Sequence, residues 1–282
     1  MTSATIERSS IVAEAQRNQP VKSADRAVAL IEFVAAAGSM SFMEILGALD
    51  LPRSSAHGLL RTLTASGWLE HDLLSKKYSL GLRAWQVGEL YRGHRDLANI
   101  AKPIMDRLAR TVGETVQLAR LDGIENTYIA ISESDKEMRL ASTVGSRLPA
   151  HATGIGKALL SMVDQPEAER RLRSNSLRRF TDKTITDVDQ LMRLLGEINH
   201  RGFAVDDEEI VSGCRCVAVP LTNADNGGIF SAISVTMPTS RTDDKWPKSI
   251  AQQLTLAARE IRSILGIAEL RGGIDDVPFP LA

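Results

Sequence analysis

Leu51-Pro52-Arg53-Ser54-Ser55-Ala56-His57-Gly58-Leu59-Leu60-Arg61 is the stretch on which the reading of the sequence turns. Proline disfavours helical backbone in the residue before it, so the chain breaks at Leu51-Pro52 and a helix starts at about Arg53. Ala56, Leu59, Leu60 and Leu63 recur at helical spacing as far as Ser66, and Gly67 suits a left-handed cap. Upstream, Ser23 is placed to cap a helix through about Ala37, with Ala27, Leu30, Ile31 and Val34 on one face and Gly38 as its stop. Phe42 to Leu49 reads as a short second helix. Downstream, Trp68–Glu70 and Tyr78–Leu80 read as strands around the polar turn Asp72–Lys77. Three short helices followed by a hairpin predict a winged helix-turn-helix, in which the third helix enters a major groove.

The residues left outward support that use. Arg53, Ser54, Ser55, His57 and Arg61 offer long donors and small hydroxyls suited to phosphates and base edges, and Lys76 and Lys77 follow on the hairpin. From Arg53 to Arg83 the cations Arg53, Arg61, Lys76, Lys77 and Arg83 face only Glu70 and Asp72, an excess of three positive charges. The whole chain is nearly neutral, with 34 Lys plus Arg against 35 Asp plus Glu, which excludes a histone-like polybasic protein. Aromatic residues at 4% argue against a base-stacking single-strand binder.

With 282 residues the chain has room for about two domains. Residues 1–20 lack an apolar core and read as an arm, not a secretory signal, and no run approaches the ~18 apolar residues of a membrane span. The two cysteines, Cys214 and Cys216, lie two apart on one strand and cannot bridge, which fits a reducing cytoplasm. The winged domain spans 21–81. A linker helix region follows at 82–98, with a helix Leu82–Tyr91 and a polar interruption at Arg92–Arg95. Another helix runs from about Asp96 to Val112. Strands are expected at Thr115–Leu121, Thr127–Ser132, Arg139–Val144, Phe203–Asp206, Cys216–Leu221 and Phe230–Met237. Helices are expected at Gly154–Met162, Gln165–Arg173, Asp187–His200 and Asp243–Leu265. Grouped rather than alternating elements predict an α+β domain over 99–271 with a largely antiparallel sheet, and 272–282 reads as a loose tail.

Within that domain Thr153 can cap a helix beginning Gly154-Ile155-Gly156. Its free N–H groups and positive dipole end would face outward to a carboxylate, with the glycines allowing close approach and Ile155 adding bulk beside the anion. The pattern is not a phosphate loop, and Lys157 is expected to snorkel to the surface. The acidic run Asp206-Asp207-Glu208-Glu209 reads as a loop with one inward carboxylate and the rest solvated. With no histidine at ligand spacing, neither that run nor Cys214-x-Cys216 makes a metal site, and no cofactor is expected.

Several motifs together resemble the IclR family of bacterial transcriptional regulators. They are Ser23-Ala24-Asp25-Arg26-Ala27, Leu51 to His57, Leu69-Glu70, Lys77-Tyr78-Ser79-Leu80-Gly81, Leu148 to Ala158, Gly202 to Glu209 and Gly213 to Ala218. The resemblance implies a GAF-like effector domain, homodimers joined through the DNA-binding domains or dimers of dimers, and small organic acids, often aromatic, as effectors. It also implies a pocket drawing on Asp206, Cys216 and Ser234, with Thr236 near. An aspartate beside an anion points to a ligand that also offers a donor, such as a hydroxy acid. Gly58 departs from the basic residue the family often carries there. The expected function is a ligand-responsive regulator, in the repressor sense, of a catabolic operon, binding double-stranded pseudo-palindromic operator DNA. Two alternatives are a GAF-fold enzyme using Cys216 and Asp206 as nucleophile and base, and an interaction module without DNA binding.

Overall fold

A computed structural model describes residues 21–90, 95–137, 142–222 and 230–266. The expected arm at 1–20, the interruption at 92–94 and the tail at 272–282 lie outside the described residues. The chain divides between Arg92 and Gly93 into two compact units. The segment 82–98 falls on both sides of that division.

The first unit holds helices α1 (Lys22–Ala37), α2 (Phe42–Ala48), α3 (Arg53–Ala65) and α4 (Leu82–Leu90), with strands β1 (Ser39–Ser41), β2 (Leu69–Asp72) and β3 (Lys77–Leu80). Two expectations change. Val21, not Ser23, is the residue before α1, and Ser23 lies in the first turn, where the Asp25 N–H it would have capped already donates to the Val21 carbonyl at 3.0 Å. The wing also has a third strand: β1 pairs antiparallel with β3, Met40 opposite Tyr78, giving the order β1-β3-β2. A run of Ser-Met-Ser is too short to show a period of two. Ser41 doubles as the cap of α2 in a reciprocal box, accepting from the Glu44 N–H while Glu44 accepts from the Ser41 N–H at 2.7 Å. Leu30, Val34, Ile45, Leu60, Leu63 and Leu69 form the core that fixes α3 against the other helices. Each fully buried leucine contributes about 1.5–3 kcal/mol.

The second unit is α+β. Its helices are α5 (Arg95–Val112), α6 (Gly154–Leu160), α7 (Gln165–Arg173), α8 (Val188–Arg201) and α9 (Lys248–Leu265). Its strands are β4 (Thr115–Asp122), β5 (Glu125–Ser132), β6 (Arg147–Pro149), β7 (Ala204–Asp207), β8 (Cys214–Thr222) and β9 (Ser231–Pro238). The sheet is antiparallel throughout in the order β6-β5-β4-β9-β8-β7. Of the strand expected at Arg139–Val144, residues 139–141 lie outside the described residues and 142–144 are not strand. The edge strand is instead β6, where Asn126 pairs with Leu148. The last helix starts at Lys248 instead of Asp243 because Pro247 stands before it. The alternation of side chains sorts the sheet into two faces. Val116, Leu118, Val217, Val219, Ile233 and Val235 pack against α5 and α9. Ala119, Ala204, Ala218 and Ala232 face α6, and their small side chains let that helix lie close to the strands.

Candidate DNA-binding face and effector site

Helix α3 presents Arg53, Ser54, His57 and Arg61 to solvent, with Ser55 half-buried. Pro52 precedes it and no side chain caps it, which leaves the first N–H groups to an outside acceptor. Phe42 of α2 supports the helix start: the Arg53 guanidinium lies 5.7 Å from its ring centroid and the His57 ring packs edge-on at 5.9 Å. Lys76 and Lys77 are exposed on the wing. The residues singled out as DNA contacts thus stand on the surface of one unit, divided between α3 and the hairpin that follows it.

The eight effector candidates are buried in the second unit. In register across the sheet, Asp206 stands opposite Cys216, Cys216 opposite Thr236, and Thr236 opposite Thr115. One rung on, Ala218 stands opposite Ser234 and Ser234 opposite Gln117. This polar row lies on the face covered by α6. Ser234 and Thr236 both donate to Gln117 Oε1, each at 3.1 Å. Gln117 Nε2 is buried without a hydrogen-bond partner, so one end of the carboxamide is unsatisfied.

At the start of α6, Thr153 Oγ1 accepts from the Gly156 N–H at 3.1 Å and donates to Asn126 Oδ1 at 2.7 Å. The cap is as expected, but its surroundings are not: Gly154 to Leu160 are all buried, so the helix start does not face outward. The glycines admit protein. A Cβ on Gly156 would stand 2.3 Å from Ala150 Cα, and one on Gly154 would stand 3.0 Å from Cys216 Sγ. They let the helix sit on its neighbours.

Lys157 corrects the snorkelling expectation. It is fully buried and its ammonium pairs with Glu209 Oε1. The acidic run therefore turns two carboxylates inward, Asp206 and Glu209, while Asp207 and Glu208 pair with Lys183 outside. Asp206 Oδ1 accepts from the Glu209 N–H at 2.7 Å, and Thr184 Oγ1 donates to the Glu209 carbonyl at 2.6 Å. Burial pushes the Asp206 carboxyl up to about 7 against the pull of Lys157, and it also raises Glu209. Burial drives the Cys216 thiol up to about 12 and the Tyr128 phenol higher than its usual range, with charge on Asp206 adding to both. Burial thus opposes thiolate formation at Cys216, which counts against the nucleophile of the enzyme alternative.

Sequence reasoning missed Gln117, Asn126, Tyr128 and Glu209. Pairing of Gln117 with Ser234 depends on two strands far apart in sequence, and only the alternation Thr115-Val116-Gln117-Leu118 marked it as a polar residue on a buried strand. None of the eight candidates lines the cleft of about 770 Å³ between Gly123, Arg147, His151, Arg171 and Phe180. Among the described residues no group of three or more His, Cys, Asp or Glu gathers as a metal site. None of their helices is long and apolar enough to cross a membrane.

Residues 23–73 match the IclR helix-turn-helix domain, and residues 90–263 match the bacterial transcriptional regulator IclR C-terminal family. The chain is 34% identical over 257 residues to the HTH-type transcriptional repressor AllR of Salmonella typhimurium, covering 90% of this chain and 94% of the relative. It is 34% identical over 241 residues to the HTH-type transcriptional regulator BhcR of Paracoccus denitrificans, covering 86% of each. Among solved structures it is similar to an IclR homolog from Microbacterium hydrocarbonoxydans complexed with 4-hydroxybenzoate. The TM-score is 0.74 and the identity 26%, over 85% of this chain and 98% of the other.

Proposed function

The chain belongs to the IclR family of bacterial transcriptional regulators, and we propose that it is a cytoplasmic repressor of a catabolic operon that senses a small carboxylate in the polar row beneath α6. On this reading residues 21–81 are the DNA-binding domain and 99–271 the effector domain, with 82–98 between them. Arg53, Ser54, Ser55, His57 and Arg61 contact the major groove and its phosphates, and Lys76 and Lys77 contact phosphates from the wing. Thr153, Gly154, Ile155, Gly156, Asp206, Cys216, Ser234 and Thr236 hold the effector, and Gln117 joins them. The observation that carries the effector site is the buried, unpartnered Gln117 Nε2 beside two hydroxyls, since such a donor is costly unless an acceptor arrives. Asp206 titrates near 7 and can donate to the acid when protonated, so an aromatic or hydroxy acid fits.

The eight residues are buried, so a bound effector would be enclosed between α6 and the strands it covers. A ligand changes DNA affinity only through its preference for one of two states of the protein. Leu82, Trp85 and Leu90 of α4 leave apolar side chains in solvent, which supports a homodimer joined through the DNA-binding units or a dimer of such dimers. A dimer of that kind reads a pseudo-palindrome with half-sites about 34 Å apart.

The test is fluorescence anisotropy of the full chain on duplex DNA upstream of its own gene, with a panel of aromatic and aliphatic carboxylates that includes 4-hydroxybenzoate. One acid is expected to change the DNA affinity, and Ser234→Val to weaken that response about tenfold while leaving acid-free DNA binding intact. An acid response unchanged in both Ser234→Val and Asp206→Asn would place the effector elsewhere.

A further inference from the structure

The wing ends in a turn built around one side chain. β2 and β3 close at the pair Asp72 and Lys77. The Asp72 carbonyl accepts from the Lys76 N–H at 2.9 Å, Asp72 Oδ1 accepts from the Leu74 N–H at 2.9 Å, and Asp72 Oδ2 accepts from the Ser75 hydroxyl at 2.7 Å. Three bonds to one residue fix the backbone of the tip. On that fixed backbone stand two adjacent leucines, Leu73 and Leu74, 71% and 95% exposed. Lys76 follows with φ at 59°, a left-handed conformation that glycine adopts without steric cost. The chain keeps a lysine there, and Lys77 beside it is also exposed.

Single exposed apolar residues need no explanation, but a leucine pair held outward between the Asp72 carboxylate that builds the turn and the exposed Lys76 and Lys77, two cations against one anion, is a shaped surface. We propose that Leu73 and Leu74 form an apolar wedge that enters the DNA minor groove next to the site read by α3, with Lys76 and Lys77 holding the phosphates on the groove walls. The charge selects the partner. Lysines beside the leucines fit a polyanion whose interior is apolar once its bases are parted, which describes a duplex. The minor groove is about 6 Å wide, too narrow for a helix yet open to side chains from a hairpin tip. Proteins that use that groove insert leucines between base steps and kink the duplex, and the kink is easiest at pyrimidine–purine steps. The chain passes from α3 through Gly67 into β2, so the groove adjoining the one α3 occupies is the one its hairpin meets. The wedge would give the protein a preference for a deformable step that no side chain reads directly. It goes beyond DNA binding as such by assigning the tip a bending role.

The experiment uses the full chain and a duplex recovered from a random pool by the wild-type protein. The duplex is end-labelled for energy transfer and carries 2-aminopurine at successive positions outside the α3 footprint. Wild type is expected to shorten the end-to-end distance and to brighten 2-aminopurine at one step. Leu73→Ser combined with Leu74→Ser is expected to abolish both signals and to weaken binding about tenfold or more, with the slope of log affinity against log salt unchanged. Lys76→Ala combined with Lys77→Ala should instead flatten that slope by about 2. Replacing both leucines by methionine should retain the bend, which separates apolar bulk from a disturbed turn. If the double serine variant bends and binds DNA as wild type does, the wedge is refuted. It is equally refuted if the variant loses affinity only because the oligomer dissociates, which sedimentation would show and which would make the tip a protein contact.

Discussion

The proposed DNA-binding face and the proposed effector row place charged side chains at opposite extremes of burial. Arg53, His57, Arg61, Lys76 and Lys77 stand in water, where a charge costs little and contributes little to folding. Lys157 of α6, Asp206 of β7 and Glu209 of the loop after it are buried, where the same charges must be matched or neutralised. The first region is therefore built for a partner that brings counter-charge, and its response should scale with salt. In the second, protonation and fold are coupled, and on the proposed reading the ligand response should scale with pH.

The largest effect that tests this contrast is on stability. Lys157→Met leaves Glu209 buried without its cation and should cost about 3–5 kcal/mol in urea unfolding. Lys157→Met together with Glu209→Leu should recover most of that loss, because a well-packed apolar pair replaces the ions. Lys77→Met on the wing should change stability by no more than about 0.5 kcal/mol. Equal losses at Lys157 and Lys77 would break the comparison.

Next in size is the proton on Asp206. Its carboxyl titrates near 7 in the fold, against 3.8 for the free side chain. Between those values the folded state holds a proton that the unfolded chain has released, so stability from this group is complete below pH 4. It is lost as pH rises through 7, by a few kcal/mol. Glu209 is raised as well and adds a slope of the same sign, so the informative quantity is the difference between wild type and Asp206→Asn. The variant should melt above wild type at pH 8, and the gap should close or reverse by pH 4. A gap independent of pH would mean that Asp206 stays ionised in the fold.

The two regions also differ in how far sequence alone reveals them. α3 and the wing were legible because their structure rests on local order: the Pro52 break, the apolar spacing of Ala56, Leu60 and Leu63, and the turn at Asp72. Helix limits such as Gln165–Arg173 were legible for the same reason. The effector candidates themselves came from resemblance, since β7, β8, β9 and β4 meet only in the folded sheet. Local alternation marked Gln117 only as a polar residue on a buried strand, not as a partner of Ser234, and Lys157 looked like any lysine one turn into a helix. Its burial is decided by Glu209, which the loop after β7 brings in. Ser-Met-Ser at β1 became a strand because β3 offered an edge, not because its own residues favour one.

Glycine gives the smallest and sharpest form of the comparison, because one substitution means opposite things in the two regions. A Cβ added at Gly58 in α3 meets nothing within 4 Å, so Gly58→Ala removes only the entropic cost of glycine in a helix and should stabilise by about 1 kcal/mol. A Cβ added at Gly156 in α6 meets Ala150 Cα at 2.3 Å and Ala150 O at 2.4 Å, both backbone atoms that can yield only if the helix moves. Gly156→Ala should therefore destabilise by about 1–3 kcal/mol despite the same propensity gain. Because the strain falls on the element that covers Ser234 and Cys216, it should weaken acid binding in the same measure. Gly58→Ala should leave acid binding untouched. If both alanines stabilise the protein, α6 is free to shift at little cost, and the close packing over the polar row is not what encloses the effector site.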